Sequence, residues 1–343
     1  MKALIIGYYG SDNIGDEVLL HQTIKMIKEI DEKIDIKSLS YRTKTTKEIH
    51  GIDAVSRNKY FEIIKAIKES DIVIGGGGSI LQNVTSNRSL VYYSTILFIS
   101  TLFNKKVIML GNGFGPIKGK FYTSLTRWLL NKIDVFMARD EETKERLEKL
   151  GVESKIVLSA DLAYYNYKCK ERLFSKKVII NIRPWENSDV IIKEMNKFIN
   201  RLKENGYEVE FLSMQEGNDD LLLRKIDDKA SFVDNSIDAF LHEESDYYCM
   251  VGMRLHALIW AGIKDIPFIS LEYDPKIKSY ADMTNQLNCG NVNDIDSDKL
   301  WELFTQLVDN YDEKKNLLIK TNDELAKKSY INYMELKNLI ERN

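Results

Sequence analysis

The sequence predicts an α/β protein made of two Rossmann-like domains that face each other across a cleft. Short and nearly continuous apolar runs alternate with helical patterns along most of the chain. Strands of that kind are typical of a parallel sheet that helices cover on both faces. The alternation pauses after Leu158 and starts again at Lys177, which divides the strands into two groups of similar size.

In the first half, apolar runs and helical periodicity alternate regularly. The predicted strands are Ala3–Gly7, Ile34–Ser40, Asp71–Gly75, Lys106–Leu110, Asp134–Met137 and Lys155–Leu158. The predicted helices are Asp16–Ile30, Arg88–Phe103, Phe121–Lys132 and Glu141–Leu150. Right-handed crossovers turn this order into a doubly wound sheet, in which ligands bind at the carboxyl ends of the strands.

The second half repeats the pattern. Its predicted strands are Lys177–Ile182, Glu208–Leu212, Tyr247–Val251 and Pro267–Ser270, and its predicted helices are Asp189–Asn205, Asn218–Asp227, Ile237–Glu243 and Arg254–Ala261. The aperiodic stretch Tyr164–Ser175 is the predicted linker, and the charged stretch from about Ser297 onward predicts two helices without a further strand. The expected domains are residues 1–165 and 166–310, followed by a helix over 311–343 that packs back on the first domain.

Composition excludes several classes of protein. Of the 343 residues, 44% are hydrophobic and 29% are charged, as in a soluble globular protein of two domains. The net charge of -3 argues against a nucleic-acid binder. Three scattered cysteines, Cys169, Cys249 and Cys289, favour neither disulfides nor zinc, so we expect a cytoplasmic protein without a secretory signal. The apolar stretch Val91–Phe103 is too short to cross a bilayer.

The first candidate motif is YYGSDNIGDEVLL, which follows the first predicted strand. Its glycines do not have the spacing of the dinucleotide fingerprint, and no phosphate-binding lysine accompanies them. Gly10 and Gly15 would permit a tight turn or a close approach of the backbone to a ligand. Asp12 or Asp16 could cap the next helix or face the cleft, and the two interpretations are compatible.

Two glycine-rich segments follow later strands. GGGGSILQN contains Gly76 and Gly77, and GNGFGPI contains Asn112 and Gly113. Successive backbone N–H groups without side chains can form an anion-binding nest, although close packing of a strand and a helix would also require some of these glycines. Neither segment is a Walker A loop. Together with the first motif, they predict one ligand-binding edge.

Arginine and histidine residues stand at further strand ends. Arg139 precedes an acid-rich helix start, where a cation is unfavourable unless it contacts an anion or pairs with Asp140 or Glu142. In VGMRLHAL, Arg254 and His256 open an apolar helix, which suits an anionic substrate and a proton donor or acceptor. Lys276 and Arg183 also follow predicted strands and could converge on the same anion.

Other chemistries lack their motifs. The sequence contains no GxSxG elbow, no HExxH and no paired set of metal ligands, which argues against hydrolases and metalloenzymes. The second predicted strand ends in Ser38, Leu39 and Ser40, without an acidic residue for the ribose of NAD, which disfavours a dehydrogenase.

Taken in order, these motifs resemble the polysaccharide pyruvyl transferase family, in particular the CsaB type that modifies secondary cell-wall polymers. The resemblance rests on GYYGSDNIGDE, GGGGSILQN, GNGFGP, ARDEET, the SAD that ends at Asp161, NIRPW, VGMRLHAL and YDPK. It implies transfer of pyruvate from phosphoenolpyruvate onto two hydroxyls of one sugar, which gives a cyclic ketal. It also implies a GT-B-like fold with a terminal helix that crosses back.

The resemblance assigns expected roles to the candidate residues. His256 is the expected general acid that protonates the enol, and Asp16 across the cleft is the expected base for the sugar hydroxyl. Phosphoenolpyruvate carries a phosphate and a carboxylate, so its site needs cations, and arginine suits planar anions. The expected donor-binding residues are Arg254, Lys276, Arg139, Arg183 and Leu255, and the expected acceptor side comprises Gly10, Asp12, Asn13, Gly76, Gly77, Asn112 and Gly113. No cofactor and no metal is expected.

The implied acceptor is a lipid-linked disaccharide or cell-wall polysaccharide precursor, such as one that contains N-acetylmannosamine on an undecaprenyl carrier. The enzyme would then approach the inner face of the membrane from the cytoplasm. The stretch Lys118–Lys132 mixes basic and aromatic residues and could contact that interface, although the pattern favours a helix that packs on the sheet. Two rival functions stay open: a GT-B glycosyltransferase that uses a nucleotide sugar, and a non-catalytic carbohydrate-binding protein.

Overall fold

The computed structural model describes residues 1–83, 87–169, 175–242 and 246–342. The chain divides into two compact units. Unit 1 comprises Met1–Ser11, Asp16–Asn166 and Leu325–Asn343, and unit 2 comprises Asp12–Gly15 and Tyr167–Glu324. Each unit is built on one parallel sheet with helices between its strands, so the predicted class of two Rossmann-like α/β domains is confirmed.

Unit 1 contains a seven-stranded sheet in the order β3-β2-β1-β4-β5-β6-β7. Its strands are β1 (Lys2–Tyr9), β2 (Asp35–Ser40), β3 (Asp53–Ser56), β4 (Ile72–Leu81), β5 (Lys106–Phe114), β6 (Val135–Ala138) and β7 (Lys155–Leu158). Its first six helices are α1 (Ile14–Ile30), α2 (Thr43–His50), α3 (Tyr60–Glu69), α4 (Asn87–Leu102), α5 (Lys120–Leu130) and α6 (Glu141–Leu150). A 3₁₀ turn at Leu162–Tyr164 follows the last strand.

Unit 2 contains a six-stranded sheet in the order β10-β9-β8-β11-β12-β13. Its strands are β8 (Lys177–Asn181), β9 (Glu208–Phe211), β10 (Ser231–Phe232), β11 (Tyr247–Gly252), β12 (Phe268–Glu272) and β13 (Leu287–Asn291). Its helices are α7 (Ser188–Glu204), α8 (Asp219–Ile226), α9 (Ile237–Leu241), α10 (Leu255–Ile263), α11 (Pro275–Met283), a 3₁₀ turn at Val292–Asp294, α12 (Ser297–Asp309) and the start of α13 (Tyr311–Glu341).

The sheet of unit 1 is covered on both faces. Successive residues of a strand point to opposite sides, so Val73 packs in one apolar cluster while Ile72 and Ile74 pack in another. The final turns of α13 belong to the second cluster through Leu336. Buried Asn332 on α13 accepts a hydrogen bond from the Gly111 amide at 2.8 Å, so polar as well as apolar contacts hold this part of the helix.

Differences from the sequence-based elements have physical reasons. β4 and β5 continue past their predicted ends because they pair with each other through their glycine-rich segments, up to Leu81 opposite Phe114. β3, β10 and β13, which the sequence analysis missed, are short edge strands without a clear apolar run. The predicted linker begins too early, since Tyr164 is buried. Linker residues 170–174 and the predicted helix end at Glu243 lie outside the described residues.

The two predicted C-terminal helices are present as α12 and α13. In the parts of the chain that the structure describes, no helix is both long enough and apolar enough to cross a membrane.

Candidate functional site

The order of strands reverses at one point in each sheet. This switch point lies between β1 and β4 in unit 1 and between β8 and β11 in unit 2. In doubly wound sheets, the loops at the carboxyl ends of these two strands diverge and leave a crevice where ligands bind. Gly10 follows β1, and Arg254 follows β11 by two residues. The topology therefore places YYGSDNIGDEVLL and VGMRLHAL at the switch points of their respective units.

At the switch point of unit 1, the backbone of β4 separates from β1 after Gly75, which pairs with Ile6. Tyr9, the last residue of β1, donates a hydrogen bond from its hydroxyl to the Gly76 carbonyl at 2.9 Å. Burial raises the pKa of the Tyr9 hydroxyl well above its ordinary value, and the nearby Asp16 carboxylate adds to this effect. Asp16 is half-buried in the first turn of α1 and lies close to the backbone of Gly78.

The turn after β1 is held by Glu17, which was not among the site residues predicted from the sequence. The Gly10 amide donates to Glu17 Oε1 at 2.7 Å, and Glu17 Oε2 lies 2.8 Å from Nε2 of buried His50. Gly10 has a φ of 69°, and a side chain there would clash with Ser40 Oγ. The signal for Glu17 was hidden because it stands beside Asp16 in a helix start where any acidic residue is favourable.

The two later glycine-rich segments lie inside strands, which corrects the prediction that they follow strand ends. A Cβ atom on Gly76 would stand 2.4 Å from the Tyr9 hydroxyl, and one on Gly113 would stand 2.3 Å from Ser79 Oγ. Gly77 has a φ of 84°, which disfavours other residues. Close packing thus accounts for Gly76 and Gly113, and backbone conformation accounts for Gly77.

Asn112 braces the interior of the same sheet. Its side chain is fully buried, and its Nδ2 donates to the carbonyls of Gly75 and Leu110, both at 2.9 Å. Its Oδ1 is a buried acceptor without a hydrogen bond among the described residues. These contacts tie β4 to β5 where both strands run past β1.

Arg139 makes local ion pairs within unit 1. Its Nε lies 3.3 Å from Asp140 Oδ2, and its Nη1 lies 3.6 Å from Asp161 Oδ2. Of the two partners predicted for local pairing, Asp140 contacts Arg139, whereas Glu142 pairs with Arg146. Asp161 is a second partner of Arg139 that was not predicted. Burial alone would raise the pKa of the Asp140 carboxyl, but Arg139 and hydrogen bonds from Thr143 hold that pKa below its ordinary value.

A buried arginine surrounded by tyrosines lies beside the switch point of unit 1 and was missed from sequence. The Arg57 guanidinium carbon stands 4.0 Å from the ring centre of Tyr41, 4.4 Å from that of Tyr92, 5.5 Å from that of Tyr8 and 5.6 Å from that of Tyr93. No carboxylate of the described residues pairs with Arg57. Tyr8 is the second-last residue of β1, and Tyr41 directly follows β2. Their side chains are 40% and 39% exposed, so aromatic surface faces solvent there.

Four residues of the opening motif, Asp12–Gly15, belong to unit 2 and not to unit 1. The Ile14 amide donates to the Met214 carbonyl at 3.0 Å, and Asn13 forms a β-bridge with Gln215. Asn13 also accepts a hydrogen bond from the Gly15 amide through its side chain, and Asp12 has a φ of 57°. The motif is thus divided between the units, which its sequence does not show.

Gly15 packs directly on the imidazole of His256. A Cβ atom on Gly15 would stand 2.4 Å from His256 Nδ1 and 2.5 Å from Cγ. No positive φ is found at this glycine, so the imidazole and not backbone strain requires it. The predicted turn with a positive φ is therefore wrong at Gly15, which leaves room for the imidazole, while a close approach of its backbone to a ligand stays a prediction.

Arg254 is anchored by a buried carboxylate. Its Nη2 donates to Asp219 Oδ1 at 2.5 Å and to Gln215 Oε1 at 3.0 Å, and its amide donates to Asn181 Oδ1 at 3.0 Å. Asp219 is fully buried, and its other oxygen accepts from the Met214 amide. One side of the guanidinium is thus fixed, and the buried Nε of Arg254 has no hydrogen bond to the described residues.

Arg183 and Lys276 meet around one aromatic ring. The Arg183 guanidinium carbon lies 5.0 Å and Lys276 Nζ lies 5.9 Å from the ring centre of Tyr273, which also contacts Trp185. Lys276 Nζ stands 3.7 Å from Asp274 Oδ2, and about a third of its side chain is exposed. Arg183 follows β8 and Lys276 follows β12, and these strands are the two neighbours of β11 in the sheet. Arg183, Lys276 and Arg254 therefore lie at the same sheet edge as His256.

The sequence from residue 13 to residue 275 matches the family model described as polysaccharide pyruvyl transferase. The chain belongs to the polysaccharide pyruvyl transferase family. The matched range contains Asp16, the glycine-rich strands, Arg254 and His256, and it ends one residue before Lys276. Membership in the family supports an enzyme that transfers pyruvyl groups onto polysaccharide. A comparison with curated proteins finds no match.

Solved structures with a similar fold include enzymes of nucleotide sugars. A protein assigned as UDP-N-acetylglucosamine 2-epimerase from Listeria monocytogenes is 12% identical, with a TM-score of 0.69, and the match covers 100% of this chain and 97% of that one. UDP-GlcNAc 2-epimerase from Neisseria meningitidis, bound to UDP-GlcNAc, is 13% identical, with a TM-score of 0.65 and coverage of 98% and 100%. HepE from Anabaena, in complex with UDP-glucose, is 10% identical, with a TM-score of 0.61 and full coverage of both chains (100% and 100%). At these identities the likeness shows the GT-B-like fold that the family resemblance implies.

Proposed function

We propose that this protein transfers pyruvate from phosphoenolpyruvate onto two hydroxyls of one sugar and releases phosphate. The acceptor that we infer is N-acetylmannosamine, or a similar sugar, in a lipid-linked precursor of a cell-wall polymer at the inner face of the membrane. Family membership supports pyruvyl transfer onto polysaccharide. The observation that carries the donor assignment is that three cations follow the adjacent strands β8, β11 and β12, at the sheet edge that also carries His256.

The donor is a small molecule with two anionic groups, a phosphate and a carboxylate. Arg254, Lys276 and Arg183 follow three adjacent strands of unit 2 and supply positive charge for both groups. Leu255 is the first residue of α10, and amides in the first turn of a helix have no partner within the helix and bind anions. Arg139 is paired with two carboxylates in unit 1, so we do not include it in the donor set that we propose.

The reaction requires one proton transfer to the donor and the loss of one proton from each of two acceptor hydroxyls. His256 donates a proton to C3 of phosphoenolpyruvate, which leaves an oxocarbenium-like C2. A sugar hydroxyl then attacks C2 while Asp16 accepts its proton. A second hydroxyl of the same sugar displaces phosphate from C2, and its proton leaves with the phosphate. The π bond between C2 and C3 and the C2–O bond to phosphate are thereby exchanged for one C3–H bond and two C–O bonds to the sugar. General acid and base catalysis of this kind contributes about 10² to 10⁴ in rate.

The acceptor side that we propose uses the aromatic surface of unit 1. Sugar rings present C–H groups on one face, and these pack well on the face of a tyrosine ring. Tyr8 and Tyr41 stand at the same sheet edge as Asp16 and are both partly exposed. Arg57 fixes the two rings from the buried side, which lowers the entropy that is lost when a sugar binds.

The function is tested by incubating the full chain with phosphoenolpyruvate and a synthetic lipid-linked disaccharide. We expect acceptor-dependent phosphate release and a product whose mass equals the acceptor plus pyruvate minus water. His256→Ala should lower turnover by about 10² to 10⁴ with little change in the KM for phosphoenolpyruvate. His242→Ala, an exposed histidine of the same unit, is the matched control and should behave as the wild type.

Lys276→Ala is the cleaner variant for donor binding, because Arg254→Ala would leave buried Asp219 without its partner. It should raise the KM for phosphoenolpyruvate more than it lowers kcat. Consumption of a nucleotide sugar without any need for phosphoenolpyruvate would refute the proposal in favour of a glycosyltransferase. Acceptor binding without turnover, unchanged in the His256 variant, would instead identify a carbohydrate-binding protein.

A further inference from the structure

The outward face of α4 carries three large apolar side chains that face solvent, with exposed Thr95 among them. Val91 is 45% exposed, Phe98 is 44% exposed and Leu102 is 64% exposed. These residues are spaced by seven and by four positions, so they form a single stripe along the helix. A surface helix normally presents polar residues on this side.

The neighbouring helix extends this surface. On α5, Phe121 is 73% exposed and Trp128 is 45% exposed, while Leu129 and Leu130 on the other side are buried. The rings of Phe98 and Trp128 lie 6.0 Å apart, so the two helices form one patch. We refer to Val91, Phe98, Leu102, Phe121 and Trp128 together as the α4–α5 face. Helix α5 therefore packs through one side and exposes aromatic residues on the other, although the sequence suggested these as alternatives.

The stretch of chain that carries the α4–α5 face is basic, and among the described residues Arg127 of α5 forms an ion pair with exposed Glu153 at 3.9 Å. No aspartate or glutamate occurs between Asp71 and Asp134, whereas seven lysines and arginines do, in a chain with a net charge of -3. Lys118, Lys120 and Lys132 are exposed, and Lys132 Nζ lies 5.0 Å from the ring centre of Trp128. The chain has 52 acidic residues among 343, so an interval of this length without any acid leaves these lysines without acidic neighbours in sequence.

We propose that the α4–α5 face docks on an anionic lipid bilayer. Aromatic and aliphatic side chains beside lysines are the combination that binds the boundary between headgroups and acyl chains. Each lysine near an anionic surface adds about fivefold to the affinity. A second copy of this chain fits less well, because a two-fold contact through this face would bring lysine against lysine.

The inference is independent of the proposed reaction, since vesicle binding is measured without substrate. The full chain is mixed with vesicles of phosphatidylglycerol or of phosphatidylcholine alone, and the bound fraction is measured by flotation at low and at high salt. We expect binding to phosphatidylglycerol vesicles that weakens with salt, and much weaker binding to phosphatidylcholine.

Two variants separate the contributions of charge and apolar surface. Replacing Lys118, Lys120 and Lys132 with glutamine should weaken binding to phosphatidylglycerol vesicles by about a hundredfold. The double variant Phe121→Ser/Trp128→Ser should weaken it by about tenfold or more. All five side chains are exposed, so thermal unfolding should change little.

Matched control variants are available on unit 2. Exposed Lys193, Lys225 and Lys229 are replaced with glutamine in one control, and exposed Val190 and Leu221 with serine in the other. Both controls should bind vesicles as the wild type does. Equal losses in the control and α4–α5 variants would overturn the proposal, as would an absence of binding to phosphatidylglycerol. A dimer that Phe121→Ser/Trp128→Ser converts to a monomer, without vesicle binding, would show that a second copy covers the face.

Discussion

A single methyl group added at Gly15 should displace the imidazole of His256. The Cβ of an alanine would stand 2.4 Å from His256 Nδ1, whereas ordinary van der Waals contact begins at 3.4 Å. The neighbouring imidazole or the first turn of α1 must therefore move by about 1 Å, a displacement that typically costs about a hundredfold in rate when the residue is catalytic. Gly15→Ala should lower kcat for pyruvyl transfer by about that factor.

The same substitution should leave the fold intact. Gly15 lies in the first turn of α1 without a positive φ, and alanine is favoured over glycine in a helix. The enzyme should therefore remain folded in urea at concentrations close to those that the wild type tolerates. The position of the imidazole is followed by the NMR signals of the ring protons, which are few because the chain has four histidines.

Gly206→Ala is the matched control. A Cβ atom at Gly206 meets no atom within 4 Å, but its φ of 80° makes alanine unfavourable, by about 1 kcal/mol. This variant should lose stability and keep its kcat, which is the reverse of the result expected for Gly15→Ala. Wild-type turnover in Gly15→Ala, with unchanged His256 signals, would refute the idea that Gly15 positions the imidazole.

Two further substitutions test buried charges. Asp219→Asn should lower the free energy of unfolding by about 3 kcal/mol, because Arg254 loses its carboxylate in a buried site. The same substitution should raise the KM for phosphoenolpyruvate. Urea unfolding measures the first effect and initial rates measure the second, and unchanged values would show that Asp219 does not anchor Arg254. Asp140→Asn should cost about 1 kcal/mol at neutral pH, since asparagine keeps the helix cap but not the charge beside Arg139. Because the pKa of Asp140 is lowered from 3.8, this difference should be complete above that pH and disappear as the pH falls through the lower folded-state pKa. A difference that grows on acidification would contradict the assigned cause.

Much of the fold was predictable because strand ends and helix starts are local patterns. Arg254 and His256 were placed correctly at a strand end because an apolar run stops at Gly252 and an apolar helix begins at Leu255. The ends of β4 and β5 were placed too early because glycine disfavours strands, and only their mutual pairing extends them. The edge strands were missed because a half-exposed strand of few residues has no clear apolar run.

The partners of the candidate residues were not predictable in the same way. Asp219 stands 35 positions before Arg254, and nothing near either residue indicates the other. They meet because β9 and β11 both flank β8, an order of strands that the sequence does not state. Arg57 was missed for the same reason, since the tyrosines around it come from β1, from the residue after β2 and from α4.

The sequence by itself determined the α/β class, the succession of elements and the edge of each sheet at which polar and charged residues gather. These features depend on hydrophobic periodicity and on residues that start or end helices, which act over a few positions. The tertiary structure alone decided that Asp12–Gly15 packs with unit 2, that Gly15 contacts His256 and that Asp219 holds Arg254. Those contacts follow from which strands become neighbours, and neighbouring strands are selected by burial of the whole sheet and not by any local run of residues.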